Sequence, residues 1–133
     1  MVISGEMKVR PILERLRKKL SGAKAVLFLG PSGIVDHIKI DPGLDLDTLA
    51  GEHAMLLRIA TRTSEDTGGG NLTEHIVISD RFIVMARHIS GDHFLVVVFR
   101  SKDHIGRTRY ELKNAAWELD RAVNERGLKP ATT

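Results

Sequence analysis

The sequence contains no cysteine among its 133 residues. That absence excludes a disulfide framework and any metal site built on thiolates. No apolar run is long enough to cross a bilayer either, since the longest candidate, residues 94–99, has only the length of a strand. The first nine residues show no apolar core of the signal-peptide kind. We therefore expect a cytoplasmic protein that does not insert into a membrane.

A large excess of one charge is also missing. The chain has 20 lysines and arginines against 17 aspartates and glutamates, and most of them are interleaved. The densest basic group comprises Arg10, Arg15, Arg17, Lys18 and Lys19, which is typical of the solvated face of a surface helix. Neither an RNA-binding aromatic motif nor a helix-turn-helix pattern accompanies it. We expect no nucleic acid partner.

Two glycine-rich segments do not match phosphate loops. A phosphate loop needs a lysine and a Ser or Thr after its second glycine, at the start of a helix. Residues 30–33 (GPSG) are instead followed by Ile34, Val35 and Asp36, which continue as a strand, so a hairpin turn is predicted. Residues 68–70 (GGG) are a flexible connection.

Catalytic and metal-binding patterns are similarly incomplete. His88 and His93 flank a short turn, but two imidazoles fall short of the three or four protein ligands of a zinc site. His53 lies on an apolar helix side and is interpreted as a core residue, whereas Asp45 or Asp47 is expected to cap that helix. The sequence predicts no catalytic residue, no cofactor and no metal, and hence no enzyme.

Apolar periodicity divides the chain into three helices and five strands. Spacings of three and four residues predict helices over 7–20, over 46–64 and from about 104 to 126. Short apolar or alternating runs predict strands over 23–29, 34–40, 72–78, 82–89 and 93–99. The inward stripe of the last helix is predicted as Ile105, Arg109, Leu112, Ala115, Ala116, Leu119, Ala122 and Val123, with Arg109 contributing at most the stem of its side chain.

The last two strands are apolar on both sides. Phe82, Val84 and Ala86 alternate with Ile83 and Met85. Strands of this kind must be covered on both faces. The expected fold is therefore an α/β (α+β) three-layer α/β/α sandwich with a five-stranded, mostly antiparallel sheet and the order α-β-β-α-β-β-β-α. We expect one domain over 1–133, with its core at about 7–126 and a loose tail at 127–133.

The second predicted helix has two apolar sides. Its inner side comprises Leu46, Leu49, Ala50, His53, Leu57 and Ala60, with Leu56 at the edge. The outer side carries Gly51, Met55 and Ile59, flanked by Arg58 and Arg62. Apolar residues at i and i+4 beside a small residue favour a partner helix, and arginine is enriched at interface hot spots. An imperfect surface helix is the alternative.

The third predicted strand is a candidate sheet edge. It follows a flexible loop and is the first of three strands joined by short turns, and Leu72, Ile76 and Ile78 make it apolar. Pairing with a second copy is one way to protect such an edge.

Several segments carry a family resemblance. They are residues 22–28 leading into a turn and second strand, residues 46–50, the hairpin of 83–89 with 94–99, and residues 105–107 followed by Leu112, Ala115 and Ala116. Together with the element order, they resemble the Roadblock domain of dynein light chains and of bacterial and archaeal regulators of Ras-like GTPases. The resemblance spans about residues 7–123 and implies a Roadblock/profilin-like fold.

The resemblance also implies a function. It implies a non-catalytic homodimer in which the second helices lie side by side and the third strands pair into one continuous sheet. Members act as scaffolds or regulators of a small Ras-like GTPase, and MglB-like members stimulate it without donating a catalytic arginine. The predicted dimer or partner interface comprises Gly51, Met55, Arg58, Ile59, Arg62, Leu72, Ile76 and Ile78. The alternative is a small-ligand-sensing module of similar three-layer architecture, which requires a polar-lined pocket.

Overall fold

Three α-helices and five strands follow one another in the predicted order. The computed structural model describes residues 5–125, and the tail predicted for 127–133 lies outside them. The elements are α1 (Gly5–Lys19), β1 (Ala23–Gly30), β2 (Gly33–Lys39), α2 (Leu46–Asp66), β3 (Glu74–Ile78), β4 (Ile83–His88), β5 (Phe94–Phe99) and α3 (Ile105–Glu125), with a short 3-10 turn over Lys102–His104 before α3. In this part of the chain no helix has the length and apolarity that a bilayer span requires.

The five strands form one sheet in the spatial order β2-β1-β5-β4-β3. Each of the four neighbouring pairs is antiparallel. The three central strands β1, β5 and β4 are almost wholly buried, because their side chains are apolar on both faces. This arrangement places β2 and β3 at opposite edges.

Two apolar cores lie on opposite faces of the sheet. Val26, Phe28, Met85 and Val97 belong to the core that α1 and α3 cover. Alternate residues of the same strands, such as Leu27, belong to the core that α2 covers. Because each central strand contributes to both cores, the sheet must be covered twice. The predicted three-layer sandwich is confirmed.

The two edges of the sheet differ. At β2, the register shifts between Phe28 and Leu29 of the neighbouring strand. From α1, Arg10 donates to the Asp36 carboxylate at 2.9 Å and to the His37 carbonyl at 2.7 Å. An irregular register and a charged side chain laid over the backbone are ordinary ways to block an edge.

The β3 edge is open within the described residues. The Thr73 carbonyl accepts from the amide of His88, and Ser79 donates to the carbonyl of Phe82. Since inward and outward backbone groups alternate along an antiparallel strand, residues 73, 75, 77 and 79 face β4. The N–H and C=O groups of Glu74, Ile76 and Ile78 therefore point away from the sheet.

The ends of several elements differ from the sequence prediction by one or two residues, and one side chain lies on a different face. The strand predicted to begin at Leu72 begins at Glu74. Arg109 does not belong to the inward stripe of α3: it is exposed, and Thr108 is buried in its place. Arg109 reaches sideways to Glu74 of β3, with its Nε and Nη2 donating at 2.7–3.0 Å. This paired guanidinium lowers the pKa of the Glu74 carboxyl below its ordinary value.

The interior of α3 offers a test of the core on its side of the sheet. Leu119 is fully buried, so Leu119→Ala should lower the free energy of unfolding by about 2–5 kcal/mol, because its removal leaves a cavity. Asn114→Ala, an exposed position of the same helix, should change it by less than about 0.5 kcal/mol. Urea unfolding followed by circular dichroism measures both; equal effects would contradict this packing.

Candidate protein-interaction surface

The helix α2 starts at a well-formed cap. The backbone N–H of Thr48 donates to the Asp45 carboxylate at 3.3 Å, and Asp47 lies in the first turn, where a negative charge is favoured by the helix dipole. The cap fixes where the helix begins and therefore which residues face the sheet. The buried residues are Leu46, Leu49, Ala50, His53 and Leu57.

The opposite side of α2 is apolar and exposed. Met55 and Ile59 have 56% and 60% of their surface exposed, and Leu56 has 42%. Gly51 lies one turn before Met55, and apart from its chain neighbours and the surrounding helix backbone no described atom lies within 4 Å of the position that a Cβ would take there. We call Gly51, Met55, Leu56 and Ile59 the α2 outer face. Met55 and Ile59 are exposed as predicted, whereas the sequence pattern places Leu56 at the edge of the buried side.

Arg58 and Arg62 lie along the α2 outer face, and both are exposed. Neither guanidinium forms an ion pair with any side chain that the structure describes. Both also line a groove of about 250 Å³ whose apolar wall includes Leu57 and Phe94. Sites for drug-sized ligands measure roughly 300–1,000 Å³. This groove lies below that range, so it does not by itself support the ligand-sensing alternative.

The three apolar residues predicted at the third strand occupy different environments. Leu72 precedes β3 and is half-buried against the α2-side core. Ile76 is half-buried against the core on the other face, and Ile78 is 49% exposed at the end of the strand. The edge therefore offers outward backbone groups and the Ile78 side chain, while Leu72 and Ile76 are largely used by the domain itself.

Two histidines lie where α2 packs near β3. His53, predicted to be a core residue, is buried and contacts the carbonyl of Leu49 through Nδ1 at 3.1 Å. Its Nε2 and the Nδ1 of His75 are buried without a hydrogen-bond partner among the described residues. Burial lowers the pKa of His75, and the neighbouring His53 lowers it further. The packing of these elements therefore favours a neutral His75.

The other histidine pair has structural contacts. The His93 ring stacks on Phe28 with centroids 5.3 Å apart, and His88 Nε2 lies 2.7 Å from the carbonyl of Gly91. Burial also lowers the pKa of His93. Over residues 5–125, no group of three or more His, Asp or Glu side chains could hold a metal ion.

Comparisons with known proteins identify solved structures with a similar fold. No protein-family model matches the sequence, and no curated protein does either. Among solved structures, the gliding protein MglB of Thermus thermophilus is 20% identical with a TM-score of 0.80, and the alignment covers 94% of this chain and 95% of that one. A Roadblock/LC7 domain of Streptomyces avermitilis is 16% identical with a TM-score of 0.71, covering 89% and 96%.

MglC of Myxococcus xanthus is similar in sequence as well as in fold. It is 30% identical, with 86% of this chain and 98% of MglC covered and a TM-score of 0.61. The chain belongs to the Roadblock family. Its sheet and three helices are those of a Roadblock domain, and the family resemblance read from the sequence is confirmed.

The burial of His75 in this Roadblock domain predicts a pH dependence of stability. A lowered pKa in the folded state means that the unfolded chain binds the proton more readily. Stability should therefore be complete above the ordinary histidine pKa of about 6.5 and decline as the pH falls through and below it. His75→Asn should flatten this decline, but not abolish it, since the pKa of His93 is lowered as well.

Guanidinium unfolding at pH 7.5 and pH 5.5 measures the effect. His37→Asn, the same substitution at an exposed position of β2, is the matched control. A His75→Asn profile as steep as wild type would show that the α2–β3 packing does not disfavour the proton.

Proposed function

We propose that this Roadblock domain is a non-catalytic homodimeric regulator that binds a small Ras-like GTPase. In the dimer, the α2 outer faces pack against each other and the two β3 strands pair. The observation that carries the proposal is that α2 is apolar on both sides, although its own sheet covers only one. Continuity with the open β3 edge supports the same surface.

The chemistry of the α2 outer face suits a helix–helix contact. Full burial of a wholly exposed side chain of this kind contributes about 1.5–3 kcal/mol. Met55, Leu56 and Ile59 are already partly buried and contribute less each, and a two-fold contact buries one copy from each protomer. Gly51 adds no side chain, which lets a second helix approach closely at that turn. Gly51, Met55 and Ile59 are each one turn apart, so they lie along one ridge, and Leu56 lies beside that ridge at i,i+3 from Ile59.

The β3 edge suits a pairing of backbones. Outward N–H and C=O groups of Glu74, Ile76 and Ile78 recur at every second residue, which is the repeat that another strand needs. The charge of His53 on α2 lowers the pKa of His75 on β3, which indicates that this edge lies near α2. One two-fold axis can therefore relate both the helices and the strands.

The GTPase assignment rests on the family and on two cations. Roadblock proteins include regulators of Ras-like GTPases, and MglB and MglC are the named structures that this chain resembles. Arg58 and Arg62 form no ion pair with any described side chain and flank the apolar ridge. Arginine beside an apolar surface is the composition of an interface hot spot. We assign no catalytic role to either arginine.

Self-association should depend on the α2 outer face. Ile59→Asp places a charge in the proposed helix contact and should shift the protein from dimer to monomer, with at least a tenfold weaker dimer. The folded monomer should persist, because Ile59 is exposed in the single chain. Sedimentation equilibrium measures the change.

Tyr110→Asp is the matched control for this variant. Tyr110 is also a large exposed apolar residue, with 64% of its surface accessible, but it lies on α3 in the opposite layer. It should leave the dimer unchanged. A wild-type monomer, or an Ile59→Asp dimer as tight as wild type, would contradict the proposed dimer.

GTPase binding should depend on the two arginines separately from the dimer. The double variant Arg58→Ala/Arg62→Ala should weaken binding of a GTP-loaded Ras-like GTPase from the same genome by about tenfold or more while remaining dimeric. Arg17→Ala, an exposed arginine of α1, is the control and should bind as wild type. Titration calorimetry measures affinity, and GTP hydrolysis assays distinguish activation from scaffolding. Unchanged affinity in the double variant would exclude this surface as the GTPase contact.

A further inference from the structure

The two helical layers differ in charge. Between Lys8 and Asn124, α1 and α3 together carry ten lysines and arginines against four acidic residues, whereas α2 carries two against four. Arg10 and Arg109 pair with Asp36 and Glu74 of the sheet, and the other cations still leave a basic excess on the α1–α3 layer, opposite the surface assigned to dimerisation. A surface of this sign attracts acidic partners.

A tryptophan lies in the middle of that layer. Trp117 of α3 is 62% exposed, and the guanidinium carbon of Arg121 lies 4.8 Å from its ring centroid. That distance places the cation within range of a cation–π interaction, which holds the ring and the charge together. Tyr110, two turns earlier in α3, is also exposed. Tryptophan, tyrosine and arginine are the residue types enriched at binding hot spots.

Shallow grooves run along both sides of the Trp117 ring. The groove between α1 and α3 is lined by Lys8 and Arg15 and has Ile12 as part of its apolar floor. The groove on the other side, beside the end of β4, is lined by Arg87 and Lys113. An exposed aromatic ring between two concave, mainly basic surfaces can bind a polypeptide segment that combines acidic and apolar side chains.

We propose that the α1–α3 face, centred on Trp117, docks an acidic segment of a partner protein. The Trp117 ring packs against an apolar side chain of that segment, and Lys8, Lys113 and their basic neighbours pair with its carboxylates. This surface is separate from the proposed dimer and GTPase contacts, and its test does not depend on them. It would give each protomer a second binding face.

The distribution of acidic residues distinguishes this partner from a polyanionic surface. Glu118 and Asp120 lie within one turn of Trp117, and each lines one of the two grooves. Glu118 is paired with Arg15 at 2.6 Å. These fixed carboxylates therefore interrupt the positive surface that a continuous array of phosphates, as on a membrane or a nucleic acid, would require. A peptide can bind without placing its acidic side chains next to these carboxylates, because its charges are few and separated. The concave grooves also suit a chain better than a flat bilayer.

Trp117 is the only tryptophan of the chain, so its fluorescence reports on this face directly. The probe is a synthetic peptide of glutamate and leucine that lacks tryptophan. Its titration should shift the Trp117 emission to shorter wavelength in a saturable way, because binding removes water from the ring. The same peptide with lysine in place of glutamate should cause no shift.

Two charge-reversed proteins test whether the binding is local. Lys8→Glu/Lys113→Glu should weaken the peptide by about tenfold or more. Lys39→Glu/Arg81→Glu makes the same change in net charge at exposed positions away from this face and should bind as wild type. Absence of a saturable shift, equal weakening in both variants, or a larger shift with anionic phospholipid vesicles or DNA than with the peptide would overturn the proposal.

Discussion

The architecture depends on a sheet whose central strands are apolar on both faces. Neither face of β1, β4 and β5 is polar enough to be exposed to solvent, so helices must cover both faces. Three helices are available for this task, and they divide unequally, with α1 and α3 together on one face and α2 alone on the other. Among the described residues, no second helix of the same chain covers the apolar outer side of α2. The unequal division of the helices therefore makes the two outer surfaces of the domain chemically different.

The two helical layers consequently present different chemistry to other molecules. The outer side of α2 combines methionine, leucine and isoleucine with a glycine, so that shape and burial decide what packs there. The α1–α3 layer is held together across its own surface by ion pairs, such as Arg15 with Glu118 at 2.6 Å, and its remaining charges are mostly basic. Contacts there depend on ionic strength, whereas contacts on α2 depend mainly on apolar area.

The sequence alone predicts the order of the elements and the layers, because these follow from periodicities of 2 and 3.6 residues that depend on local geometry. The burial of residues at the margin of a helix face is harder to predict from the sequence. Leu56 is about 100° from Met55 on the helix, and whether such a side chain is covered depends on the width of the sheet beneath it. Arg109 moves out of the predicted stripe because Glu74, on a distant segment, offers a carboxylate. Trp117 lies outside the predicted inward stripe of α3, but periodicity does not predict that Arg121 packs over its ring or that grooves flank it.

The unequal edges of the sheet limit how far strand pairing can extend. The β2 edge is irregular in register and overlaid by Arg10, whereas the β3 edge has outward backbone groups at alternate residues. Such a sheet can add a strand at one edge but not at the other. If the β3 edge pairs with the same edge of a second copy, the combined sheet ends in a blocked β2 strand on each side and can add no further strand. Growth into a fibre requires two edge strands that can pair with further copies, and the described part of this domain has one.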